Sequence, residues 1–97
     1  MISVSDLNES HLALALITDA LFCSELEIGD TPAGYQLAAA IREALRTRRG
    51  WNGCTRAVAA AFAETPASAT RREEWCRRLA EQALASADVQ AQLSQME

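Results

Sequence analysis

The sequence contains no lysine: its nine basic residues are all arginine. It has one histidine, four glycines, two prolines, and five aromatic side chains from two Trp, one Tyr and two Phe. Each scarcity excludes something. With His11 alone, no nucleophile–base pair can be assembled by spacing, so the expectation is a protein that is not an enzyme. With so little glycine there is no phosphate-cradling loop. Gly50-Trp51-Asn52-Gly53 lacks both the lysine and the preceding strand that such a loop requires. Valine and isoleucine are also few while alanine abounds, which favours helices over strands.

Cys23, Cys54 and Cys76 are odd in number and widely spaced, which argues against a disulfide framework. A zinc site from His11 and the three cysteines lacks a close ligand pair, since the nearest two are twelve residues apart. The cysteines are expected as small buried apolar groups. No cofactor is implied. The N-terminus has no positively charged leader region, and the apolar run Leu12–Ile17 is far too short to span a bilayer. The expectation is a reduced, cytoplasmic protein that does not enter a membrane.

The 97 residues carry a net charge of -4, but the charges are segregated. Residues 1–30 hold six acids and no base, residues 31–78 nine arginines against four acids, and residues 79–97 three acids and no base. The chain as a whole is not drawn to anionic polymers; its central block could be.

Length and pattern predict one all-α domain over residues 1–97. The architecture is a small four-helix, bundle-like domain with a short third helix and a long C-terminal helix. Asp6 and Glu9 suggest a capping box at the first helix, whose wide stripe through Leu14, Ile17, Leu21 and Phe22 predicts burial on more than one side. Thr31-Pro32 and Thr65-Pro66 read as helix starts, a hydroxyl cap followed by proline. Leu37, Ile41 and Leu45 form the apolar face of the second helix, which Gly50 ends. The third, about Cys54 to Glu64, is expected to bury Cys54, Val58, Ala61 and Phe62. Beyond Pro66 there is neither glycine nor proline, so a helix could run about 45 Å. A break at Ala85–Asp88 is the alternative to a projecting tail over 86–97.

Two surfaces are candidates for function. Arg42, Arg46 and Arg49 share a face of the second helix and suit an acidic protein or a second copy of the chain. Val89, Leu93 and Met96 form a small apolar stripe on the tail, suited to self-association. The competing reading is a DNA-binding helix-turn-helix over residues 55–79, with Ser68, Thr70, Arg71 and Arg72 reaching the nucleic acid. Glu73 and Glu74 would repel phosphates there, or pair with Arg77 and Arg78. An acyl-carrier reading lacks its attachment serine, because the second helix is preceded by Asp30-Thr31-Pro32. The expected function is therefore a non-enzymatic interaction or regulatory module.

The residues Leu21-Phe22-Cys23-Ser24-Glu25-Leu26, Asp30-Thr31-Pro32, Gly53-Cys54, Val58-Ala59-Ala60-Ala61-Phe62, Pro66 and Arg72-Glu73-Glu74-Trp75 form a pattern. It resembles that of a group of small all-helical actinobacterial proteins without a known activity. The resemblance spans about residues 16 to 80 and departs at Ala63 and Thr65, where glycine and histidine are expected. It implies a bacterial setting and no catalytic residues.

Overall fold

The computed structural model describes the backbone of residues 4–95 and the side chains of residues 11–95. Its elements are α1 (Val4–Phe22), α2 (Gly34–Arg48), α3 (Trp51–Glu64), α4 (Pro66–Leu84) and α5 (Ala87–Gln95). The described residues contain no strand. The all-α expectation holds, with two changes. The long last helix is two helices, α4 and α5, and the short member of the set is α5 rather than α3.

The helix α1 is the centre of the packing. Its most extensive contact is with α4, and it also touches α3 and α2. That is why its apolar stripe is wide. Ile17, Ala20 and Leu21 are buried in a core completed by Leu37, Ile41, Ala44, Cys54, Trp75, Cys76, Leu79 and Val89. Thr18 is buried among them, and its hydroxyl donates to the Leu14 carbonyl at 2.6 Å, so no polar group is stranded there. The Asp6–Glu9 capping box falls outside the described side chains.

The start of α2 differs from the expected Thr31-Pro32 device. The helix begins at Gly34 after Ala33, whose N–H donates to Gln36 Oε1 at 2.7 Å. Asp30 instead closes the preceding turn, its Oδ2 accepting from the Glu27 N–H at 2.8 Å. Thr31 and Pro32 therefore precede the helix, whose first turn Gln36 closes from within. The other end matches its sequence signal. Arg49 adopts left-handed backbone (φ 62°, ψ 48°), Gly50 follows at φ 99°, and the Gly50 N–H donates to the Leu45 carbonyl at 2.8 Å.

Only Arg49 and Gly50 separate α2 from α3. Gly53 makes so abrupt a reversal feasible. A Cβ on Gly53 would lie 1.6 Å from the Arg48 carbonyl oxygen, so the two backbones pass where only hydrogen fits. In α3, Cys54 and Val58 are buried while Ala61 and Phe62 are only half-buried. Phe62 stacks on Phe22 with centroids 6.4 Å apart, which covers the far end of α1.

Thr65 is both the C-terminal cap position of α3 and the N-terminal cap position of α4, with Pro66 opening the new helix as expected. At the end of α4 the chain breaks at Ala85-Ser86. Ser86 Oγ accepts from the Val89 N–H at 3.4 Å, and Gln90 Nε2 donates to the Leu84 carbonyl at 2.7 Å. These bonds satisfy backbone groups that a break would otherwise expose. The new helix α5 turns back onto α2, where Gly34 lies close beside Ser86 and Asp88. No described helix is long and apolar enough to cross a membrane.

Candidate partner-binding site

The refolded C-terminus corrects one expected surface. Val89 is 0% exposed and Leu93 packs against the core, so this stripe seals the domain instead of offering itself to a partner. The apolar period marks a buried face, and α2 of the same chain is close enough to bury it. Met96 lies outside the described residues.

Helical spacing places two of the three arginines on one face of α2. Tyr35, Arg42 and Arg46 recur at i, i+7 and i+11, within about 40° of arc on a helix of 3.6 residues per turn, whereas Arg49 stands just past the helix end in left-handed backbone and leaves that period. All four are exposed, Tyr35 by 66%. Arg46 is held by Glu43 one turn back in a two-pronged pair, its Nε donating to Oε2 at 3.1 Å. The pair holds the Glu43 carboxyl below its ordinary range, the guanidinium hydrogen bond being the chief cause. Among the described residues neither Arg42 nor Arg49 has an ion-pair partner.

Beside this stripe runs a groove of about 380 Å³ between α2 and α5. Tyr35, Ala39 and Arg42 form one wall; Asp88, Gln92 and Gln95 form the other. Gln92 is 8% exposed, and among the described residues its buried Nε2 has no hydrogen-bond partner. An unmet buried amide is costly and uncommon in folded proteins. Sequence reasoning missed it, because Gln92 lies among polar residues that read as a solvated helix end.

The residues of the DNA-binding alternative are placed differently. Ser68, Thr70 and Arg71 are exposed at the start of α4. Thr70 Oγ1 donates to the Pro66 carbonyl at 2.8 Å and Arg71 Nη2 to Ser68 Oγ at 3.4 Å. Arg72 is turned inward. Its Nε donates to the Phe22 carbonyl at 2.8 Å and its Nη2 to the Ser24 carbonyl at 2.9 Å, and its guanidinium lies 5.5 Å from the Phe22 ring centroid. It thereby caps the C-terminal end of α1, where a cation is favoured. The single-residue link at Thr65 is also tighter than the three- or four-residue turn of a helix-turn-helix. The expected Glu73–Arg77 and Glu74–Arg78 pairs do not form.

The other chemistry-bearing groups are dispersed. Cys23 and Cys54 meet across the α1–α3 contact, Cys23 Sγ lying 3.6 Å from the Cys54 carbonyl oxygen. Burial pushes the Cys54 thiol up to about 12 and the Cys76 thiol up to about 11, so both are protonated and unreactive near neutrality. Among the described residues no three His, Cys, Asp or Glu side chains come together as metal ligands would. An open groove of about 290 Å³ between α1 and α4 is lined by His11, Asp19, Glu73 and Arg77. No hydrogen bond links His11 to either carboxylate; Asp19 Oδ2 accepts from Thr55 Oγ1 at 3.0 Å. Burial raises the Asp19 carboxyl above its ordinary value, and the Thr55 bond offsets part of that shift.

No family model, curated protein or solved structure matches this chain.

Proposed function

We propose that the protein is a non-enzymatic protein–protein interaction or regulatory module of a bacterial cytoplasm. Its contact surface is the α2 face of Tyr35, Arg42, Arg46 and Arg49 with the adjoining α2–α5 groove. The observation that carries this reading is the coincidence of two features on one face of α2: the exposed arginines Arg42 and Arg46 and the largely exposed Tyr35 in line with them. Tyrosine and arginine are enriched where proteins bind each other. A partner fitting this surface carries acidic side chains for Arg42 and Arg49.

DNA binding through residues 55–79 is the less favoured reading. Its geometry would need Arg72, which is engaged with the carbonyls of α1. Affinity capture from a bacterial lysate with and without nuclease separates the two. The interaction reading expects the same protein partners in both samples; partners that vanish with nuclease would support nucleic acid instead.

A further inference from the structure

Cys23 and Cys54 stand 31 positions apart in sequence yet meet in the fold, and the contact-surface reading makes no use of them. We infer that Cys23 is an oxidation site, and that hydrogen peroxide converts Cys23 and Cys54 into an intramolecular disulfide tying α1 to α3.

Cys23 directly follows α1, and Cys54 lies in the first turn of α3. The Cys23 Sγ is 3.6 Å from the Cys54 carbonyl oxygen, and the Cys54 Sγ is 3.8 Å from the Ala44 carbonyl oxygen. A thiol is a weak donor, so either side chain can turn out of its contact at little cost. The two side chains also act on each other. Burial is the chief influence holding the Cys23 thiol above its ordinary value, and the Cys54 side chain comes next, pulling it down. For Cys54 burial again leads, followed by Cys23. Cys54 is among the groups acting on the Cys23 thiol and Cys76 is not, so Cys54 is the nearer partner.

The two thiols differ in access. Cys54 is 0% exposed, whereas Cys23 is half-buried and lines an open cleft of about 420 Å³ beside α2, with Arg48 on its wall. The cleft admits a molecule as small as hydrogen peroxide, and the Arg48 charge favours the reactive thiolate. The Cys23 sulfur takes one peroxide oxygen as a hydroxyl while the O–O bond breaks. The other oxygen leaves as water with the Cys23 proton, and a sulfenic acid remains. The Cys54 sulfur then attacks the Cys23 sulfur. The S–S bond forms, the S–O bond breaks, and the departing hydroxyl leaves as a second water with the Cys54 proton. Two thiols are oxidised, one peroxide is reduced, and the products are one disulfide and two waters. The protonated Cys54 thiol is inert toward reagents in solvent, but here its target is held beside it and no collision is needed. The closed loop contains the whole of α2.

The test treats the purified full chain with excess hydrogen peroxide, because burial slows the reaction, and then unfolds it in an alkylating agent. A non-reduced tryptic digest is mapped by mass spectrometry, with arginines lying between the three cysteines to separate their peptides. The expected product is the Cys23 peptide joined to the Cys54 peptide, two hydrogens lighter than their sum, in a chain that remains monomeric. Dithiothreitol should release both peptides. Cys76→Ala is expected to form the same link, while Cys54→Ala should accumulate the Cys23 sulfenic acid, trapped by dimedone. The wild-type map decides the inference even if the Cys54→Ala protein does not fold. A link from Cys23 to Cys76, links only between chains, or three thiols that all remain open to alkylation would overturn it.

Discussion

At the residue scale, single atoms decide whether the chain can turn. Gly53 is necessary because any side chain there collides with the Arg48 backbone carbonyl, which has no rotamer by which to retreat. Gly53→Ala is expected to destabilise the domain by about 3 kcal/mol, the upper end of overpacking effects, measured by urea unfolding. Asp19 makes the opposite case. Its carboxyl is raised by burial, so the fold prefers the protonated form. The associated stability is complete below the ordinary carboxylate pKa of 3.8 and is lost as pH rises through the raised folded value. Asp19→Asn keeps an acceptor for Thr55 and removes the buried charge. Thermal melts should therefore show it more stable than wild type at pH 7, with the advantage disappearing at pH 3. An equal advantage at both pH values would show that charge is not the cause.

At the element scale, local signals were readable where the cause is local. Thr65-Pro66 starts α4, where proline occupies the first helical position and its missing N–H costs no helix bond. The turn at Arg49-Gly50 likewise needs only backbone that bends to positive φ. Signals depending on distant partners were not readable. The stripe through Val89 and Leu93 identifies a face to be covered, but its period is the same whether α2 or another chain covers it. Arg72 read as one cation of a basic run, since its acceptors lie 48 and 50 residues away in sequence. Thr31-Pro32 misled for a related reason: Gln36 closes the start of α2 from inside the helix and makes a threonine cap unnecessary. Val89→Asp tests the assignment of α5 to the core. A carboxylate at a fully buried site is expected to cost about 3 kcal/mol or more. Hydrogen exchange should then show α5 losing protection before α1 and α4. Protection unchanged in α5 would contradict its docking on α2.

At the scale of the whole molecule, charge segregation along the sequence is undone in space: Glu25 shares a cleft with Arg48, Asp30 with Arg78, and Asp19 and Glu73 with Arg77. The domain measures 40 × 29 × 25 Å with a radius of gyration of 13.1 Å, about that of a compact domain of its length. Among the described residues α5 folds back onto the domain, whereas Tyr35, Arg42 and Arg46 on α2 stay exposed. The placement of Arg42 and Arg46 was legible in sequence because helical period alone aligns them, while that of Arg49 was not, because the helix ends one residue before it. Nor was the groove beside them, because it exists only once α5 folds back.

Capture from a nuclease-treated lysate tests this account most directly, comparing wild type, Arg42→Glu with Arg46→Glu, and Arg71→Glu. The account expects the wild type and the Arg71→Glu protein to retain the same partners, while the α2 double variant loses them. Retention by the α2 variant together with loss by Arg71→Glu would contradict it and move the contact surface to the start of α4.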